Sequence, residues 1–112
     1  MKLVVAVVKP HKLDDVKTAL ESIGVQGLTI TEVQGFGRQR GHAEIYRGAE
    51  YKIDFVPKVR LEILCTEEDV DRVTDTIMQS ARTGKIGDGK VWITDAERVI
   101  RIRTGELDDD AI

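Results

Sequence analysis

The sequence predicts an α+β fold of the ferredoxin-like class: β-α-β-β-α-β order, a long loop between the second and third strands, and a short extra strand at the C-terminus. Three observations predict it. Strand-like apolar stretches and two helical stripes follow one another in that order. The two helices suffice to cover one face of a four-stranded sheet. The 112 residues are a single-domain length, so residues 1–112 read as one domain.

The first strand is KLVVAVVK, residues 2 to 9, apolar without a break from Leu3 to Val8. A continuous run implies that both faces of the strand are covered. Pro10 ends its ladder, because proline has no N–H to donate. Leu13, Val16, Leu20 and Ile23 form one helical stripe over residues 13 to 23, and Gly24 suits the C-terminal cap. LTITEVQ, 28 to 34, is rich in β-branched residues and reads as the second strand. In KVRLEILC, 58 to 65, Val59, Leu61, Ile63 and Cys65 share one face, and Arg60 and Glu62 the other. Thr66 is placed to cap a helix with Val70, Val73, Ile77 and Ala81 on one stripe and acids in its first turn. VWIT, 91 to 94, and RVIRIR, 98 to 103, return to strand character. The helices leave one sheet face open, yet the first strand is apolar on both. A second copy of the chain is the simplest cover.

The composition, 41% hydrophobic and 33% charged, is that of a globular protein. No apolar run approaches the roughly 20 residues of a membrane span, and no signal-peptide pattern opens the chain. A single cysteine, Cys65, excludes an internal disulfide and reads as a core thiol, so a cytoplasmic address is expected. Of the 20 acids, Glu106, Asp108, Asp109 and Asp110 fall in residues 106–112, an acidic tail expected to fray. With no basic stripe and 4% aromatics, nucleic acid is excluded as a partner.

Residues 35–57, GFGRQRGHAEIYRGAEYKIDFVP, make a connection long enough to be functional in a compact domain. Its four glycines keep the backbone permissive, and Tyr46 and Tyr51 stand among charges where a core position is hard to reach. It reads as a partner-binding arm, with a solvated hairpin extension as the plainer alternative. His42 and His11 have no second histidine nearby and read as surface residues.

TGKIGDGKV, 83 to 91, places Gly84, Gly89 and Lys90 at the spacing of a nucleotide-binding P-loop, with Val91 where the magnesium-binding hydroxyl belongs. A P-loop runs from strand to helix; here a helix precedes the glycines and a strand follows. What remains is a turn with Gly87 and Gly89 exposing backbone N–H groups, flanked by Arg82, Lys85 and Lys90: either a concavity of the kind that binds anions or a bare glycine turn. Arg101 and Arg103, two apart on the expected last strand, would share a face roughly 7 Å apart. An anion between them would relieve their repulsion, and a polyphosphate fits the span.

RQRGH at 38 to 42, YRGAEY at 46 to 51 and TGKIGDGKVWI at 83 to 93 together resemble the PII nitrogen-regulatory signal proteins, from Met1 to about Glu106. One departure stands at Asp95 and Ala96, where a proline and an aliphatic residue are usual; it touches no ligand residue. The resemblance implies a homotrimer of ferredoxin-like subunits with ATP or ADP in the clefts between neighbours. It assigns Gly87, Asp88, Gly89 and Lys90 to the phosphates, with Gly37 and Arg38 at the base of the long loop and Arg101 and Arg103 from the adjoining subunit. Thr29, Glu62 and Leu64 correspond to the adenine side. Gln39, Lys58 and Gly87 correspond to the residues that meet 2-oxoglutarate, and Gln39 to a ligand of a magnesium ion bridged to ATP.

The function so implied is a non-catalytic sensor of ATP, ADP and 2-oxoglutarate that controls partners through its long loop. Those partners would be nitrogen-metabolism enzymes, a nucleotidyltransferase and, as in many members, an ammonium transporter that recruits the chain to a membrane. Tyr51 is the implied acceptor of a UMP or AMP group; Ala49 has no hydroxyl, which closes the serine-phosphorylation route of other relatives. Two alternatives stand beside this reading. One is a ferredoxin-like trimer that binds metal or a small metabolite without nucleotide. The other is a slow ATPase using Asp88 or Glu62 as base.

Overall fold

The computed structural model describes residues 1–36 and 55–112. Strand β1 (Lys2–Val8), helix α1 (Leu13–Ser22), β2 (Thr29–Gly35), β3 (Val56–Cys65), α2 (Val70–Ala81) and β4 (Gly89–Asp95) follow in the expected order. The sheet order is β2-β3-β1-β4 with every pair antiparallel, as the ferredoxin-like arrangement requires.

Register explains the layers. Val4, Ala6 and Val8 of β1 stand opposite Ile63, Leu61 and Val59 of β3, and this face packs on Val16 and Leu20 of α1 and Val73 and Ile77 of α2. Each valine, leucine or isoleucine among them contributes roughly 1.5–3 kcal/mol through burial. Cys65 lies in this core with its thiol pushed up by burial, as a structural cysteine should.

The caps differ from one another. Gly24, at φ 96°, ends α1 in a Schellman motif: Val25 N–H bonds the Leu20 carbonyl at 3.1 Å and Gly24 N–H the Glu21 carbonyl at 3.0 Å. Thr66, expected to cap the second helix with its side chain, makes no such bond. A 3-10 turn, Glu67–Asp69, leads into α2 instead, and the Thr66 carbonyl accepts the Asp69 N–H at 3.1 Å. The acids of that turn still face the positive end of the helix dipole.

On the open face the chain covers β1 partly by itself. Val5 is 1% exposed, and Arg60 of β3 reaches across β1 to Trp92 of β4, 5.7 Å from the ring centroid. Leu64 and Trp92 stay about two-fifths exposed there.

Two C-terminal expectations are corrected. Residues 98–103 add no strand to the sheet; their pairing is a single bridge between Ile100 and Leu107. The segment folds back on itself, with Gly105 N–H bonded to the Arg101 carbonyl at 2.8 Å and Arg101 N–H to the Glu106 carbonyl at 2.9 Å. The tail is not frayed. Asp108 clamps Val99 through backbone and carboxylate, and Asp108–Ala111 forms a 3-10 turn. Side-chain and main-chain bonds to one residue replace the sheet edge that this segment lacks.

Asp95 and Ala96 finish β4 locally: Asp95 pairs with the Lys2 ammonium, and the Ala96 N–H bonds the Met1 carbonyl at 3.1 Å.

Candidate functional site

The glycine loop joins α2 to β4, with a helix before it and a strand after. That order is the reverse of a P-loop. Gly89 belongs to β4 and stands opposite Val8, at φ 104°. A Cβ there would fall 1.8 Å from the Val7 carbonyl oxygen, so glycine alone fits. Gly87, at φ 96°, turns the chain just before it.

Asp88 holds the loop. Its carboxylate accepts the N–H groups of Thr83 at 2.9 Å and Gly84 at 2.8 Å, and also the Thr83 hydroxyl. The Lys9 ammonium lies 3.2 Å from the same carboxylate and donates to the Thr83 hydroxyl at 3.1 Å. The Thr83 hydroxyl and backbone bonds, with help from Gly84 and Lys9, hold the Asp88 carboxyl well below the usual carboxylate range. Asp88 therefore acts on the loop itself: its oxygens are committed to the loop's own donors.

Lys58 comes up from β3 beneath this loop. It is 8% exposed and donates to the Gly87 carbonyl. Burial first, and then the charge of Lys9, push its pKa down, while Asp88 opposes them. A buried ammonium with an unfavourable charge gains from an anion beside it. The loop, Lys58 and the exposed Lys90 thus make one cationic end of the site, suited to carboxylate or phosphate oxygens. A bulky side chain at Gly87 would crowd Lys58, whose ammonium lies 3.6 Å from where a Cβ would stand.

A second group assembles elsewhere. Thr29 stands opposite Glu62 in the β2–β3 register, and with Leu64 they line a cleft whose far wall includes Arg101, Ala111 and Ile112 of the C-terminal segment. Glu62 is paired with Arg60 at 3.2 Å. Leu64 is in register with Leu3 and Gly89 with Val8, five residues along β1, about 17 Å. Within one chain the cleft and the glycine loop are therefore separate.

Arg101 and Arg103 do not share a strand face. Arg101 lines the cleft and is tied to Glu106 at 3.4 Å, and Arg103 lies exposed in the turn at 102–104. Gly37, Arg38, Gln39, Tyr46 and Tyr51 lie outside the described residues. Among the described residues no group of His, Cys, Asp and Glu could hold a metal ion, and His11 is exposed. Two residues of the site escaped the sequence reading. Lys9 looked like the polar end of a strand, and Thr83 like part of a turn. Their convergence on Asp88 joins positions 74 residues apart, which no local pattern displays.

The family model described as "Nitrogen regulatory protein P-II" matches residues 1–106. The chain is 61% identical over 112 residues to "Nitrogen regulatory protein P-II" of Klebsiella oxytoca. It is 60% identical over the same length to the protein of that name from Pasteurella multocida and to "Nitrogen regulatory protein P-II 1" of Escherichia coli K12. Each alignment covers 100% of both chains.

Proposed function

The chain belongs to the nitrogen regulatory protein P-II family, and from that premise we propose that it senses ATP, ADP and 2-oxoglutarate and passes their occupancy to partner proteins through residues 35–57. The observation that carries this reading is the braced glycine loop with Lys58 beneath it, a preformed cationic end with its backbone turn fixed by Asp88. Gly87, Gly89 and Lys90, with Gly37 and Arg38, would hold the phosphates, and Thr29, Glu62 and Leu64 the adenine side. Lys58, Gly87 and Gln39 would hold 2-oxoglutarate, and Gln39 the magnesium ion, whose other ligands would be phosphates and the keto acid.

The separation of the loop from the Thr29–Glu62–Leu64–Arg101 cleft supports a site completed between chains, with Arg101 and Arg103 reaching a neighbour's phosphates. Ile102, 99% exposed between those arginines, supports a contact there. We place the homotrimer in the cytoplasm, with an ammonium transporter as one candidate partner and nitrogen-metabolism enzymes as others. The protein is read as a regulator rather than a catalyst. Asp88, held ionised by its donors, is a poor base, and Glu62 is engaged by Arg60.

Calorimetry tests the core of this reading. If one magnesium ion joins the two ligands, each must tighten the other by the same factor. Titration of 2-oxoglutarate should show binding with ATP and magnesium that is much weaker when either is removed. Equal affinity under all three conditions would refute the shared metal. Tyr51 is the proposed acceptor for a nucleotidyltransferase; intact-mass spectrometry of protein from nitrogen-starved cells should show a nucleotidyl adduct that disappears in Tyr51→Phe. An adduct that persists would assign another residue.

A further inference from the structure

The Lys9 side chain sits between two functions without belonging to either. It lies at the end of β1, where its carbonyl accepts the Lys12 N–H at 3.0 Å and opens the 3-10 turn Pro10–Lys12. Its ammonium has turned from the strand to the glycine loop and meets Asp88 at 3.2 Å and the Thr83 hydroxyl at 3.1 Å. The Lys9 side chain is 20% exposed and that of Asp88 24%, so this pair is partly withdrawn from water. The Lys9 stem also packs at Gly87: its Cε lies 3.5 Å from the position of a Cβ there.

A carboxylate beside a polyphosphate is unfavourable unless its charge is balanced. Asp88 supplies the acceptor that folds residues 83–88, and it also brings a negative charge to the place where phosphates are expected. Lys9 is the cation that meets that charge from outside the loop. We propose that Lys9 is a positioning residue of the phosphate site: through Asp88 and Thr83 it holds the glycine loop in its binding conformation and neutralises the one acid the loop contains. The inference rests on the reading of this loop as a phosphate cradle. Lys9 need not touch the ligand, because its ammonium acts through Asp88 and the Thr83 hydroxyl.

Lys9→Met keeps the length and apolar stem of the side chain and removes the cation. Amide hydrogen exchange in the ligand-free protein should quicken about tenfold at Thr83 and Gly84, the two N–H groups that Asp88 accepts, with β1 core amides unchanged. ATP affinity should fall about tenfold, the effect of one charge-assisted contact, while adenosine, which has no phosphate, binds as before. Lys9→Arg should restore both readouts in large part. Unchanged exchange and unchanged ATP affinity in Lys9→Met would overturn the role of Lys9. An equal loss of adenosine and ATP would overturn it too, by showing a general disturbance of the fold. Failure of the wild-type chain to bind ATP would overturn the phosphate-site reading itself, a separate result.

Discussion

At Gly89 a single hydrogen in place of a methyl decides whether β4 can lie against β1. The Val7 carbonyl occupies the space of the missing Cβ, and φ is 104°. Gly89→Ala should therefore destabilise the chain by about 3 kcal/mol, the upper range for backbone strain with no room to relax. Thermal unfolding checks this; an unchanged Tm would mean that the strand end shifts at no cost. Lys58 shows the opposite economy. Its ammonium is held where burial disfavours charge, an arrangement that weakens the empty protein and strengthens anion binding. Asp88 resolves a third problem, since four donors on one carboxylate fix a turn that glycines alone would leave loose.

Among the elements, the C-terminal segment departs furthest from its sequence pattern. RVIRIR has the composition of a strand, but β4 ends at Asp95 and no sheet edge accepts it. It closes on itself through Asp108 and Val99 and carries Arg101 to the wall of the cleft with Thr29, Glu62 and Leu64. Among the described residues the Arg101 guanidinium donates to the exposed Glu106 carboxylate and to the half-buried Ala111 carbonyl, both at 3.4 Å, long contacts that a phosphate could replace. Arg101→Ala should weaken ATP binding by about 1.5–3 kcal/mol, the usual worth of a hydrogen bond to a charged group. Calorimetry with unchanged affinity would remove this arginine from the site.

For the whole molecule, the question is what meets the open sheet face and the tip at Ile102. A chain of 112 residues leaves about a third of its unfolded surface exposed. Leu64, Trp92 and Ile102 lie among that surface as exposed apolar side chains. Light scattering should give about three times the 12.5 kDa chain mass. A stable monomer at micromolar concentration would contradict the shared site, because the glycine loop and the Arg101 cleft would then never face one ligand.

Periodicity by itself determined the six main elements, their order and the buried faces of β3, α1 and α2, because burial repeats every second residue in a strand and every three to four in a helix. That the glycine motif is not a P-loop was likewise legible, since that conclusion needs only the order helix–turn–strand. Tertiary structure alone decided the rest. It committed the Asp88 carboxylate to its own loop, drew Lys9 across to it, buried Lys58 under Gly87, and turned residues 98–103 from a strand into a closed hairpin. Each of these depends on contacts between residues far apart in the chain. Local pattern records the propensity of a segment, and only the completed fold supplies the partner that uses or overrides it.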